Sequence, residues 1–206
     1  MIQSREPVRL DAQGVRQASG VMARAFQDEP AWKYLIPDAS KRSRWLPSFF
    51  SIVIRYTLLY GEVYTTPSLE GVACWLPPGN TTPRLSQLVR LGIRHASLGF
   101  ALGWTGFRRH ATMEAYDSAV HAQFAPGKHW YLWGLGVDPT YQGQGIGGML
   151  LQPVLARAEA DRLPCYLETS TAKNVSFYSK HGFVVVHEGK VPKSQLYAWA
   201  MLRRYQ

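Results

Sequence analysis

Apolar residues at Val15, Ala18, Val21, Met22, Ala25 and Phe26 recur every three or four positions and predict a helix over residues 11–26, with Asp11 placed to cap it. Asp28, Glu29 and Pro30 are expected to end that helix. A second apolar helix is predicted over 42–59, then two short strands, 62–65 and 72–76, joined by a turn at 67–71 and closed by Pro77, Pro78 and Gly79. From 81 to 125 the period is helical again, with Leu85, Leu88, Val89 and Ile93 on one face and Arg84, Gln87, Arg90 and Arg94 on the other. Beyond it strands and helices alternate: strands over 130–137, 165–168, 183–188 and 197–202, helices over 145–161 and 174–180. Pro153 falls inside the first of these helices and removes the bond to Met149, so a bend is expected there. This last third reads as a βαβα unit closed by a hairpin.

With 206 residues, 46% hydrophobic and 18% charged, the chain can bury one substantial core, and one domain over 1–206 is expected, with 81–125 as a helical insertion. Neither internal repeats nor low-complexity tracts occur. Residues 1–10 carry Arg5, Glu6 and Arg9 and lack the apolar stretch of a secretory signal. The longest apolar segments, 49–60 with Arg55 inside it and 96–107, are too short to span a bilayer. A cytoplasmic protein without a membrane partner is therefore expected. Cys74 and Cys165 form no CxxC pair and have no histidine at ligand spacing, which predicts two buried thiols and no metal. The formal charge of +9 favours an anionic partner, whether nucleic acid, a membrane surface or a polyphosphorylated cofactor. The basic face in 81–94 lacks the interleaved aromatics of a nucleic-acid binder and reads as a solvated helix face, so no nucleic-acid partner is expected.

Gln142, Gly143, Gln144, Gly145, Ile146 and Gly147 lie between a predicted strand and a predicted helix. Glycines there leave backbone N–H groups open to an anion, and the helix start adds partial positive charge. The arrangement suits a pyrophosphate without any cationic side chain; a turn that binds nothing is the plain alternative. Gly143, Gly145 and Gly148 also satisfy the dinucleotide pattern G-x-G-x-x-G, with Glu168 ending the next strand where a ribose-binding acid could sit. Two features weigh against a dinucleotide. Residues 138–142 lengthen the approach from Val137 to the first glycine, and only 38 residues follow Glu168, too few for further βαβ units.

Gln142-x-x-Gly145-x-Gly147, preceded by Leu135-Gly136-Val137 and Asp138-Pro139, resembles the acyl-CoA loop of the GNAT (Gcn5-related) N-acetyltransferase family. Asn174, Tyr178, Gly182 and Phe183 resemble that family's N-x-x-x-x-Y-x-x-x-G-F segment in order and spacing. Ala25-Phe26-Gln27-Asp28-Glu29-Pro30, Val72-Ala73-Cys74-Trp75-Leu76-Pro77-Pro78 and Leu167-Glu168-Thr169-Ser170 are closest to its puromycin N-acetyltransferase-like members. The resemblance implies a mixed α/β (α+β) acyl-CoA N-acyltransferase fold, its central, mostly antiparallel sheet split between strands 4 and 5, with helices on both faces. It also implies acetyl-CoA as cosubstrate. Gln142, Gly143, Gln144, Gly145, Ile146 and Gly147 would then hold the pyrophosphate, Leu135 and Val137 would offer backbone bonds to the pantetheine arm, Gly136 would permit close approach, and Asn174 would contact the arm. Chemically, the amides of such an arm can pair with a strand edge as an added strand would.

Acetyl transfer needs an amine stripped of its proton, since an alkylammonium titrates near ~10, and a donor for the departing thiolate. Tyr178 is the candidate donor, its phenol at about 10 lying above the ~8.5 of a thiol; packing beside Phe177 and Phe183 is the alternative. Some family members place the base on the strand before the loop, but residues 130–137 contain no acid, and Glu168 is the replacement, with a structural carboxylate as the other reading. Asp28 and Glu29 either attract a cationic acceptor or merely end a helix. A lone His129 at the strand start is more often surface or packing than catalytic, and Lys173 and Lys180 are either solvated or within reach of a 3'-phosphate. Neither cysteine has a His/Asp neighbour in sequence, which favours direct attack by a small-molecule amine in a ternary complex, in a monomer or homodimer. A noncatalytic CoA- or nucleic-acid-binding module is the reading from another class.

Overall fold

The computed structural model describes residues 6–82, 87 and 96–205, with 96–101 described in backbone only. The predicted stripe of Leu85, Leu88, Val89 and Ile93 and its counterpart Arg84, Arg90 and Arg94 lie outside the described residues. The elements run β1 (Val8–Arg9), α1 (Val15–Phe26), α2 (Pro30–Leu35), α3 (Ala39–Tyr60), β2 (Glu62–Thr65), β3 (Gly71–Leu76), α4 (Ala96–Phe124), β4 (Trp130–Val137), α5 (Ile146–Ala160), β5 (Cys165–Thr169), α6 (Ala172–Ser179), β6 (Val184–Lys190) and β7 (Tyr197–Arg203). Among the described residues the seven strands join one sheet in the order β1-β2-β3-β4-β5-β7-β6. Every neighbouring pair is antiparallel except β4 and β5.

Two local expectations change. Asp11 does not cap α1: its Oδ1 accepts the N–H groups of Gln13 and Gly14, both at 2.9 Å, and so holds the turn before a helix that starts at Val15. Pro30 opens a helix instead of only closing one, because a proline in the first turn forfeits an N–H that has no helical partner anyway. In α4 the helical path is interrupted at Gly103, whose φ of 58° and ψ of 178° leave the α region. Pro153 sits inside α5, which continues past it to Ala160.

The sheet has a core on each face. Ala73, Trp75, Trp130, Leu132, Cys165 and Leu167 pack against Ile146, Leu150, Leu151 and Val154 of α5. On the other face Val63, Val72 and Cys74 pack against Val15, Ala18 and Met22 of α1 and Leu46, Phe50 and Ile54 of α3. Further along that second face, Tyr166, Ala200 and Leu202 lie under Val120 of α4. Because side chains alternate along a strand, β5 sends Cys165 and Leu167 to α5 and turns Tyr166 toward α4.

One irregularity shapes everything near the glycine loop. Cys74 pairs with Gly134 and Trp75 with Leu132, so Trp133 is left out of the β3 ladder as a bulge. The extra residue reverses the alternation: Trp130 and Leu132 face α5 before it, Leu135 and Val137 face α5 after it, and Gly134 and Gly136 come against α1. A bulged strand also bends. Here β4 keeps parallel pairing with β5 only at Trp130↔Cys165 and Tyr131↔Tyr166.

A β-carbon at Gly136 would lie 2.7 Å from Met22 Sδ and 3.0 Å from Ala25 Cβ, so the absence of a side chain lets α1 seat on β4. Gly136→Ala is expected to cost about 1–3 kcal/mol of stability through overpacking, read as a lower urea midpoint with an unchanged slope.

Candidate active site

Where β4 and β5 part, the two strands frame a cavity of about 180 Å³. Leu132, Trp133, Gly134 and Leu135 of β4 form one wall, Glu168 and Thr169 of β5 the opposite one, and Met113 and Asp117 of α4 close one side. Ser170, Asn174 and Tyr178 with Phe26, Glu29 and Trp32 also line it, as do Ala31 and, around the β6–β7 turn, Val191, Leu196, Tyr197 and Ala198. The volume is below that of sites for drug-sized ligands and suits an acyl group with a small head.

Its parts are anchored by short polar contacts. Thr171 caps α6 by accepting the Asn174 N–H, and the Asn174 side chain donates to Thr169 Oγ1 at 3.0 Å, tying α6 to the free end of β5. Ser170 Oγ donates to Glu29 Oε2 at 2.6 Å across the mouth. Tyr178 is buried, with its ring edge-on to Phe177 and Phe183. Burial, and then the Glu29 carboxylate, push its phenol above the ordinary value, so the hydroxyl keeps its proton and can only donate to a developing anion.

The glycine loop lies at the far end of β4. Gly143 and Gly145 have φ of 78° and 80°, and a β-carbon at either would meet nothing within 4 Å. Glycine is thus required there by backbone conformation, and the space above the loop is open. Gly145 precedes α5 without any side-chain cap, leaving the first amides of a 15-residue helix exposed to an anion. Gln142 Nε2 donates to the Val137 carbonyl at 3.1 Å, which folds the loop back on the strand end. Asp138 secures the base of the loop: it accepts from Thr140 N and Oγ1 and from Arg24 Nε of α1 at 2.7 Å. Burial opposes its charge, but the Thr140 and Arg24 contacts outweigh it and hold the carboxyl below its usual range. Open glycine amides, a helix start and an unpaired strand edge are together what a pyrophosphate and an amide-bearing arm require.

Residues 98–183 match the model of the acetyltransferase (GNAT) family. The chain is also similar to an uncharacterized N-acetyltransferase of Schizosaccharomyces pombe, 25% identical over 182 residues, with 85% of this chain and 73% of that one covered. A probable serine/threonine-protein kinase of Dictyostelium discoideum is 27% identical over 200 residues, a match spanning 88% of this chain but 21% of the kinase. Among solved structures, one described as histone acetyltransferase HPA2 and related acetyltransferase from Corynebacterium glutamicum superposes with a TM-score of 0.66 at 19% identity, covering 98% of this chain and 96% of that one. Arylalkylamine N-acetyltransferase 2 from Aedes aegypti gives 0.66 at 15% identity, covering 98% and 99%. At these identities the structural likeness is one of fold. The chain is an acetyltransferase with the GNAT fold.

The acetyltransferase gathers acids on the α4 face of β5. Glu168 follows Tyr166 by two residues, so strand alternation turns it to the same side, where its side chain is 15% exposed. Burial, opposed by Tyr131 and reinforced by the charges of Asp117 and Glu114, raises its carboxyl to about 8. Tyr166 also acts on Glu168, although its buried hydroxyl falls outside hydrogen-bond geometry. Asp117, one turn of α4 beyond Glu114, is raised to about 7 by burial and by that neighbour. His121 Nδ1 lies 3.8 Å from Glu168 Oε1.

Of the residues singled out in the sequence, Leu135, Asn174, Tyr178, Glu168 and Glu29 meet at this one cavity. Asp28 does not: its side chain is 80% exposed and it pairs with Lys33 at 3.1 Å, so it is no part of the cavity wall. Gly136 makes its close approach to α1. Lys173 and Lys180 are exposed. His129 is neither a surface residue nor alone: it is 4% exposed and shares a 2.7 Å hydrogen bond with His121. Asp117 and His121 were not signalled in the sequence; their one trace is spacing at i and i+4 on a helix, which brings them to one face without naming what that face meets. Among the described residues, no group of three or more His, Cys, Asp or Glu could hold a metal ion, and no helix is long and apolar enough to cross a membrane.

Glu168 and Asp117 keep protons in the folded chain that the unfolded chain loses in the ordinary carboxylate range, so their contribution to stability is lost as pH rises through about 7 to 8. Glu168→Gln, with no charge to bury, is expected to be the more stable protein above pH 8 by roughly 1–3 kcal/mol, the gap closing toward pH 5. Thermal denaturation across that pH series measures it.

Proposed function

We propose that the protein moves an acetyl group from acetyl-CoA to a small primary alkylamine bound as its ammonium ion, by direct attack in a ternary complex. The observation that carries this reading is that one cavity brings Leu135, Asn174 and Tyr178 on the cosubstrate side together with Glu29, Asp117 and Glu168. Their carboxyl oxygens offer hydrogen-bond acceptors to an ammonium, and Phe26, Trp32 and Trp133 supply aromatic wall for its carbon skeleton. Acetyl-CoA would lie along the edge of β4, with its pyrophosphate over Gln142, Gly143, Gln144, Gly145, Ile146 and Gly147. The names of the Schizosaccharomyces and Aedes proteins support an amine acceptor. The likeness to puromycin N-acetyltransferase-like members keeps amino-bearing antibiotics among the acceptors to be screened.

In this reading Glu168 is the base. A carboxyl at about 8 is matched to its task near neutral pH, being strong enough to draw a proton from an ammonium and weak enough to release it. It acts only as the carboxylate, so the rate rises with pH through about 8. Tyr178, held protonated by burial, donates to the departing sulfur. Both cysteine thiols are buried and pushed up to about 12, which leaves no thiolate for an acyl-enzyme.

The test is CoA release from acetyl-CoA with 2-phenylethylamine and with 1,4-diaminobutane. Tyr178→Phe is expected to lower kcat roughly 10–100-fold with little change in the KM for acetyl-CoA. Glu168→Gln is expected to lose a similar factor together with the rise through pH 8. Binding of CoA without release from acetyl-CoA in the presence of either amine would favour the noncatalytic reading.

A further inference from the structure

Behind Glu168, away from the cavity, runs a chain of hydrogen-bonding groups that acetyl transfer as described does not use. His129 Nδ1 lies 2.7 Å from the Gly127 carbonyl, and His129 Nε2 lies 2.7 Å from His121 Nε2. His121 Nδ1 lies 3.8 Å from Glu168 Oε1. The protons on this chain can be assigned from one end. A carbonyl only accepts, so His129 carries its proton on Nδ1. A neutral His129 then accepts at Nε2, so His121 donates from Nε2 and is unprotonated at Nδ1, the atom that faces Glu168. Burial depresses both rings, His121 to about 4, so both rest neutral and these tautomers hold near neutral pH.

We propose that His121 and His129 relay the proton that Glu168 takes from the acceptor and deliver it to the exposed turn at Gly127. The proposal rests on Glu168 being the base. The steps balance as follows. One N–H bond of the bound ammonium breaks and an O–H bond forms on Glu168, leaving a neutral amine. The carboxyl proton then passes to His121 Nδ1 while His121 Nε2 gives its proton to His129 Nε2. Glu168 is again a carboxylate, His121 is neutral in its other tautomer, and His129 holds the single positive charge until Nδ1–H leaves the Gly127 carbonyl for solvent; proton exchange with water then restores the resting tautomer of each ring before the next turnover. The gap between His121 and Glu168 exceeds a hydrogen bond, and one bridging water or a small turn of either side chain closes it.

Position supports transit of a proton here. His129 is buried, yet Gly127 and Lys128 beside it are exposed, so the chain leads from the cavity wall to the surface within two residues. His121 is held flat on Tyr166, with ring centroids 4.4 Å apart, and tilted against Tyr131. The groups facing Glu168 are Glu114, Asp117 and His121 from α4, Tyr131 from β4 and Tyr166 from β5; across the ladder β7 presents Ala200, which does not titrate. Of these groups, His121 continues through His129 to the exposed turn at Gly127. His121 and His129 act through Glu168 and are positioning residues.

Two measurements test the relay. Nitrogen-15 spectra of the imidazoles at pH 7 should place the proton of His129 on Nδ1 and that of His121 on Nε2; a proton on Nδ1 of His121 would overturn the proposal, since that atom could not accept. His129→Gln removes the proton-accepting ring, and His121→Gln breaks the chain one link earlier if the first variant does not fold. With 2-phenylethylamine, kcat/KM at pH 7 is expected to fall about 10-fold or more, and the gap to close by about pH 10, where the amine arrives without its extra proton. The KM for acetyl-CoA should not move. A loss that is uniform in pH would mark a purely structural pair and sink the relay, as would no loss. Glu168→Gln run in parallel separates the two ideas: a wild-type pH profile there removes the base itself, whereas its loss with an unaffected His129→Gln removes only the relay.

Discussion

Parallel pairing between β4 and β5 ends after Trp130↔Cys165 and Tyr131↔Tyr166, and the rest of the molecule is arranged around that parting. A continued ladder would satisfy the backbone of 132–137 and leave no room between the strands. The bulge at Trp133 instead bends β4 and exchanges its faces, so Leu135 turns to α5 while Gly134 and Gly136 come against α1. The opened edge, the cavity and the close seating of α1 are three results of one extra residue. Antiparallel pairing of β5 with β7 over all of Cys165–Thr169 keeps the other wall rigid while β4 diverges.

Around that opening, polar contacts fix the loops that no sheet holds. Arg42, 4% exposed, donates to the carbonyls of Gln27, Ile36 and Pro37, which ties both ends of the α2 segment to α3 and so positions Glu29. Asp138 joins the glycine loop to Arg24 of α1. Each satisfies groups that would otherwise be buried without partners. The effect is that the mouth of the cavity and the start of α5 are referenced to the same helix, α1.

The acids of the cavity work against the fold. Glu168 and Asp117 sit where burial disfavours their charge; the charge of Asp117 makes Glu168 harder still to ionise, as that of Glu114 does for Asp117. A core chosen for stability alone would not place them there. The same displacement brings a carboxyl into the range where it exchanges protons near neutral pH, and the neutral histidine pair behind it has an ordering that follows from one carbonyl at Gly127. Stability given up at this point is recovered in the two apolar layers, where Trp75, Ile54, Leu150 and Leu151 are wholly buried.

Local pattern alone determined the third of the chain that binds the cosubstrate in the proposed reading. Alternation and turn residues located β4, α5, β5, α6, β6 and β7 to within two residues, and the glycines at 143 and 145 announced a backbone that only glycine adopts. Those signals are readable because each depends on residues close in sequence. Tyr178 was singled out by the resemblance of its spacing from Asn174 to a family motif and Glu168 by its place at a strand end, and both line the cavity. Tertiary structure decided what sequence spacing cannot carry. The bulge at Trp133 arises from pairing with β3, and Gly136 is explained by α1, more than a hundred residues earlier in the chain. Asp28 and Glu29 are neighbours, yet one points to Lys33 and solvent and the other into the cavity, because Glu29 is the residue from which the helix at Pro30 starts and its carboxylate accepts from Ser170 Oγ. Asp117 and His121 acquire meaning only when α4 is laid across β5, since an acid and an imidazole on a helix are unremarkable until a buried carboxyl from another element faces them.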